Sequence, residues 1–282
     1  MLQKKQGIIK NMTKVAILDL YDGHANEGMR NIKEIITEFG IVNKTSISYE
    51  VFDIRGNNQA PDLNFDIYIS TGGPGSPIES EGSRWEKSYF KLMEAILEHN
   101  EKYPDEKKYV FLICHSFQIF CRHYELGTVC KRKSTSFGVF PIHRTEESAN
   151  EPFFENLENP FWGVDSRDWQ VIQPDDEKIA AMNGQILCIE KDRPHVPLER
   201  AVMAIRFGDA IFGTQFHPEA DPVGMLHYLL KEEKRNSVIE NHGQQKYDDM
   251  ILHLNDPDKI LLTHKSIIPK FLETAINSHQ TA

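Results

Sequence analysis

The sequence predicts an α/β fold: a parallel-rich sheet with helices on both faces, followed by a C-terminal helical extension. Three observations carry this reading. Short, near-continuous apolar runs alternate with amphipathic segments of helical period up to about residue 120. Irregular loops, one rich in glycine, follow at the carboxyl ends of those runs, as strand-to-helix connections do in parallel sheets. Beyond residue 222 a mostly β stretch gives way to helical spacing again.

The elements follow in order. "KVAILDL" (14–20) is short and apolar, as a strand buried on both faces requires. "NEGMRNIKEIITEFG" (26–40) spaces Met29, Ile32, Ile35, Ile36 and Phe39 for one helical face, and Gly40 ends it. "SISYEVFDI" (46–54) and "FDIYIS" (65–70) read as strands, the latter leading into the loop "TGGPGSP" (71–77). "SRWEKSYFKLMEAILEHN" (83–100) is an amphipathic helix capped by Ser83. "YVFLI" (109–113) is the next strand and runs into "CHSFQIFCRHYEL", which puts Cys114 at the start of a helix. After residue 127 come the β-like runs "TVCKR", "GVFPIHR", "QILCIE", "AVMAIRF" and "AIFGTQF", with 151–170 expected as a long aromatic loop. "DPVGMLHYLLKEEK" and "DPDKILLTHKSIIPKFLETAI" (256–276) are helical. Residues 1–12 read as a flexible leader, 13–232 as one domain and 233–282 as its helical extension.

Composition narrows the function. The chain has 282 residues and a formal net charge of -10, which argues against nucleic acid or an anionic membrane as a partner. The basic run "CKRKS" (130–134) reads as a solvated turn, and "EKDRPHVPLER" (190–200) as an exposed loop. Four cysteines, Cys114, Cys121, Cys130 and Cys188, have neither CxxC pairing nor metal-ligand spacing with histidine, so neither a disulfide framework nor a metal site is expected. No apolar run approaches the roughly 20 residues of a membrane span. The chain reads as cytoplasmic.

Ligands in parallel sheets bind beyond the carboxyl ends of the strands. "STGGPGSP" and Cys114 both lie at such ends. A cysteine attacks as the thiolate, which a helix N-terminus and a histidine base both favour. His115 is adjacent in sequence and projects in another direction; its N–H is the useful group, with the ring on the surface. The better base lies in "GTQFHPEAD" (213–221), where His217 and Glu219 are two apart and share a face of extended backbone. Pro218 keeps the preceding residue extended. Glycines in the "GGPG" loop let backbone N–H groups approach a developing negative charge.

"TGGPGSP", "LICHSFQ" and "GTQFHPEAD", in this order and spacing, resemble the class I (triad) glutamine amidotransferase domain, in particular the amidotransferase half of GMP synthase. The resemblance covers roughly residues 14–232 and implies a flavodoxin-like sheet. It implies Cys114 as nucleophile, His217 as base and Glu219 as its orienting partner, with the N–H groups of Gly73 and His115 as the oxyanion hole. Gln118 and Gly72 would stand on the substrate side. The implied reaction is hydrolysis of the glutamine side-chain amide through a thioester, giving glutamate and ammonia. No cofactor is expected. The partners are glutamine or a γ-glutamyl compound, and a separate synthetase that receives the ammonia. The chain has no second glycine loop of the kind that cradles ATP phosphates.

Three departures from the family pattern stand out. Leu112 and Ser116 occupy positions where relatives carry glycine around the nucleophile, so Ser116→Gly is expected to be tolerated and to relax the turn. Ser136 stands where many relatives carry glutamate, and "SRDWQV" (166–171) stands where relatives often show a histidine and an aspartate before the valine. Two alternatives stay open: a γ-glutamyl peptidase or hydrolase on the same scaffold, and a non-catalytic binding protein.

Overall fold

Alternate residues of the central strands point to opposite faces of the sheet, and this sets the layering. The computed structural model describes residues 12–256 and 258–281; the expected leader, apart from Met12, lies outside them. β1 (Thr13–Asp19), β2 (Ile47–Asp53), β3 (Ile67–Ser70) and β4 (Tyr109–Ile113) run parallel. β9 (Ile211–Thr214) joins them beside β4, also parallel. β5 (Thr128–Arg144), β6 (Phe161–Ile172), β7 (Gly184–Glu190) and β8 (Val202–Phe207) pair antiparallel and extend the sheet. The order across the sheet is β2-β1-β3-β4-β9-β8-β7-β5-β6.

On one face Val15, Ile17, Ile67, Ile69, Phe111 and Ile113 pack against α1 (Glu27–Val42) and α9 (Ile260–Thr281). On the other, Ala16, Leu18, Tyr68, Val110 and Leu112 meet α3 (Arg84–Lys102) and α4 (His115–His123). The C-terminal segment is helical, and α9 belongs to the main core, since Ile267, Ile268, Phe271 and Leu272 are at most 1% exposed within the first of these clusters. α6 (Pro222–Leu229), α7 (Glu232–His242) and α8 (Gln244–Leu254) enclose a smaller core against β5 and β6, built on Leu229, Tyr247 and Met250.

One expected loop is a strand. Residues 161–172 form β6, paired with β5 from Ile142↔Phe161 to Thr128↔Ile172. The strand escaped its pattern because two of its inward positions, Asp165 and Arg167, are charged, and they are buried by pairing with each other. The aromatics that precede and open this strand are packing: Phe153, Phe154 and Phe161 are buried, and their rings contact Phe212 or Phe216.

The glycine missing before Cys114 has a counterpart on the neighbouring strand. Leu112 is buried within β4 and pairs with Gly213 of β9, whose bare backbone makes room for the Phe117 ring under α4. A Cβ on Gly213 would come 2.6 Å from Phe117 Cδ2. Gly213→Ala is therefore expected to destabilise the fold by about 1–3 kcal/mol through overpacking, measured by denaturant unfolding.

Candidate active site

Cys114 ends β4 and caps α4 with φ 49° and ψ -96°, a left-handed backbone that bends the chain sharply and aims the thiol off the sheet's carboxyl edge. Three hydrogen bonds hold this bend. The Cys114 N–H donates to the Thr214 carbonyl at 2.7 Å, and its own carbonyl accepts from Gln118 N–H at 2.9 Å. The third comes from Ser116, whose hydroxyl oxygen accepts from Ile113 N–H at 2.7 Å. The same hydroxyl can give its hydrogen to the Ser70 carbonyl at 2.9 Å or to that of Ile113 at 3.0 Å. Ser116 thus ties the bend to β3 and does not crowd it, contrary to the expectation from sequence.

His217 follows β9. Its N–H donates to the Val164 carbonyl of β6 at 2.8 Å, and its Nδ1 donates to Glu219 Oε1 at 2.8 Å. Glu219 is 1% exposed, and α9 reaches it through His264 Nδ1, which donates to the Glu219 carbonyl at 2.9 Å. Burial disfavours a charged imidazole at His217, yet Glu219 and then Cys114 raise its pKa well above the ordinary value. Its Nε2 is buried without a hydrogen-bond partner on the protein, while the Cys114 thiol donates at 3.9 Å to the Ser166 carbonyl. Cys114 and His217 are thus near enough for the charge of one to act on the other.

The loop after β3 completes the arrangement. A Cβ on Gly72 would lie 3.1 Å from His217 Cε1 and 3.7 Å from Cys114 Cβ, and one on Gly73 would lie 2.4 Å from the Leu20 carbonyl oxygen. Only glycine lets this backbone come so near. Two arginines hold the loop from behind. Arg55 Nη1 donates to the Leu20 carbonyl at 3.2 Å and the Pro74 carbonyl at 2.6 Å, and Arg122 donates to the Pro77 carbonyl while pairing with Glu86. His115 is the first residue of α4, so its N–H has no intrahelical acceptor.

The His115 ring is 1% exposed, which corrects the expectation of a surface position. Burial first, and then the charges of Arg55 and Arg122, lower its pKa to about 3. It is a neutral ring packed beneath the cations that brace the loop.

Together these groups line a cleft of 540 Å³ that contains Cys114, His217, Glu219, Gly73, His115 and Gln118; Gly72 stands just behind, against His217 and Cys114. Sequence reasoning missed several other residues here. Gln215 Nε2 donates to the Cys114 sulfur at 3.7 Å, and its Oε1 accepts from Gln118 Nε2 at 3.2 Å. Gln215 was legible in principle, since it lies two residues before His217 on the same extended face. Tyr21 lines the cleft, its phenol pushed well above its ordinary pKa by burial and then by Glu219. Arg167 and Trp169 of β6 form the far wall, where the sequence suggests a loop. Ser136, in place of the family glutamate, faces Asp165, which is held below the usual carboxylate range, despite its burial, by Arg167 and by that hydroxyl. Among the described residues no cluster of histidine, cysteine and carboxylates could hold a metal ion, and no helix is long and apolar enough to cross a membrane.

The chain matches the class-I glutamine amidotransferase family over residues 16–236 and belongs to that family. Members of the family generally act on glutamine amides. Solved structures share the fold at low identity. A glutamine amidotransferase from Thermotoga maritima is 14% identical with a TM-score of 0.66, covering 94% of this chain and 99% of the other. A protein described as a putative GMP synthase subunit from Thermoplasma acidophilum is 15% identical with a TM-score of 0.54, covering 96% of each chain. The glutaminase domain of Trypanosoma brucei CTPS, solved with bound acivicin, is 12% identical with a TM-score of 0.59, covering 94% of each chain. No curated protein sequence matches the chain significantly.

Two outcomes test this geometry. Ser116→Ala leaves the buried Ile113 N–H and Ser70 carbonyl without their partner, a loss of about 1–3 kcal/mol in unfolding free energy; an unchanged denaturation midpoint would refute the bracing role. For His115, the unfolded chain binds a proton below its ordinary pKa of 6.5, whereas the folded chain does so only near 3. Its contribution to stability is therefore complete above that window and lost progressively as pH falls through it. His115→Phe should flatten the acid slope of stability, read from melting curves at stepped pH against the parent chain.

Proposed function

We propose that the chain cleaves the side-chain amide of glutamine or of a γ-glutamyl compound, with Cys114 as nucleophile, His217 as base and Glu219 as its orienting carboxylate. The observation that carries this reading is the thiol on a left-handed strand-to-helix bend, facing a histidine whose far nitrogen is held by a buried carboxylate at 2.8 Å. In the first step the sulfur attacks the amide carbon. The carbonyl π pair moves onto oxygen, where the N–H groups of Gly73 and His115 receive the negative charge. His217, through Nε2, takes the thiol proton and returns it to the departing nitrogen as the carbon–nitrogen bond breaks, leaving a thioester and ammonia or an amine. Water then attacks the thioester with the same histidine as base, releasing the acid and restoring the thiol. Gln118 and Gly72 shape the substrate side, Gln118 by fixing Gln215 against the sulfur. A separate synthetase would receive the ammonia.

The far wall favours a second reading within this chemistry. Trp169, Phe137 and Tyr228 line the cleft opposite the thiol, so the amine half of a γ-glutamyl amide larger than glutamine has apolar surface to rest on.

The deciding experiment incubates the purified chain with glutamine and with γ-glutamyl dipeptides, following glutamate, ammonia and free amino acid. Release from either substrate, abolished in Cys114→Ala, is expected. Covalent labelling by acivicin should fall on Cys114, because Cys121 and Cys188 are fully buried and burial raises both thiols well above their ordinary range. No turnover together with no labelling would end the proposal in favour of a binding protein.

His217→Ala is expected to lower kcat/KM by about 10²–10⁴-fold, and Glu219→Gln by less. Because Glu219 raises the His217 pKa, the imidazolium persists to a higher pH than an ordinary histidine's. Glu219→Gln should move that transition to lower pH in the kcat/KM profile; a profile that stays put would remove Glu219 from its role.

A further inference from the structure

Behind the far wall of the cleft lies a second cavity, of 290 Å³, which shares Thr135 and Phe137 of β5 with the first. A bulge in β5 forms it. Lys131 pairs with Trp169 and Ser136 with Arg167, so four residues of β5 stand opposite the single Asp168 of β6. The extra length turns Arg132 inward from what the sequence presents as a solvated basic run, and its side chain is only 6% exposed. Arg193, from the segment expected as a plain exposed loop, is likewise folded in, with its side chain 8% exposed.

The floor of this cavity is a buried ion network with more cation than anion. Glu190 Oε1 accepts from Arg132 at 2.9 Å and Arg167 at 3.2 Å, and its Oε2 accepts from Arg193 at 2.8 Å. Asp165 is taken by Arg167 at 2.7 Å. Both floor carboxylates are thus committed to arginines; a third acid, Asp192, also lines the cavity, against the four cations Arg132, Arg193, Lys191 and Lys246. Spare capacity remains on the donor side: Arg193 Nε is buried with no acceptor. At the rim Lys191 and Lys246 converge on one ring, their Nζ atoms 4.5 Å and 4.4 Å from the Phe140 centroid. Among the described residues neither lysine forms an ion pair. Burial, and then the charge of Lys191, lower the Lys246 pKa, and the opposing charge of Asp249 offsets them only in part. In a chain of net charge -10, such a gathering of unpaired donors is an exception to the overall field.

We propose that this second cavity is a binding site for a small oxyanion ligand, a compound carrying phosphate or carboxylate groups, held by Lys191 and Lys246 at the rim and by the free Nε–H of Arg193 at the floor. The acids at the base do not repel it, because the arginines neutralise them. The ligand would stand on the opposite side of β5 from the thiol, so its binding does not depend on the reaction. Thr135 and Phe137, common to both cavities, are the contacts through which occupancy of one is felt in the other.

The test is calorimetric titration of the full chain with inorganic pyrophosphate and, separately, with citrate, at constant ionic strength set by chloride. Saturable binding of one of them is expected, and which one binds tells phosphate from carboxylate. Cys114→Ala should bind equally well, which separates this site from the proposed catalysis. The Lys191→Met, Lys246→Met double variant should bind about tenfold more weakly or worse, the loss expected when charged hydrogen bonds are removed. Lys133→Met, an exposed lysine of the same strand outside the cavity, serves as control. Circular dichroism verifies folding, and single Lys191→Met carries the same test if the double variant is unfolded. Absence of saturable binding to both anions, or equal weakening by Lys133→Met, would overturn the assignment.

Discussion

The bend at Cys114 constrains everything around it. A non-glycine residue at φ 49° is held against its own steric preference, at a penalty of about 1–3 kcal/mol. That conformation persists only where the surroundings specify it. Here β9 supplies the acceptor for the Cys114 N–H, Ser116 ties Ile113 to β3, and Gly213 leaves space for Phe117 beneath the helix. Because the same two neighbours of β4 carry the other parts of the site, the contacts that hold the bend also fix its distance from the "GGPG" loop and from His217. The order β3-β4-β9 is therefore both the source of stability for the strained residue and the frame of the chemistry.

An acidic chain has brought several arginines inside, and five of them act in two ways. Arg55 and Arg122 brace the loop after β3 by donating to carbonyls, which fixes backbone that has no regular partner. Arg132, Arg167 and Arg193 instead tie β5, β6 and the loop after β7 through Glu190 and Asp165. Buried ion pairs of this kind add little net stability against an apolar alternative, but each partner is costly to leave alone. Their effect is to specify which strands meet and in what register. The wall opposite the thiol consequently depends on charge pairing, where the rest of the domain relies on apolar packing.

The C-terminal helix joins these two regions. Its apolar residues complete the core under β3 and β4, while Thr263 donates to the Trp162 carbonyl and His264 to that of Glu219. A helix near the end of the chain thus holds the backbone of Glu219, whose carboxylate accepts from His217. The position of Glu219 is set by tertiary contact from the end of the chain as much as by its own strand.

Much of this was determined by sequence alone. Apolar period distinguishes strand from helix locally, so the parallel half of the sheet, α1, α3, α4 and the elements that carry Cys114, His217 and Glu219 could be read directly, as could the glycines that permit close approach. Other features have no local signature because their cause is a partner remote in the chain. Ser116 resembles a misplaced small residue until Ser70, 46 positions away, gives its hydroxyl a bond. His115 reads as a surface ring until Arg55 and Arg122 close over it. β6 reads as a loop until Arg167 meets Asp165 and Glu190, the last of them 23 residues further on. A buried polar or charged group is stable only when its partner arrives, and for Ser116 and Arg167 that arrival is decided by the tertiary structure.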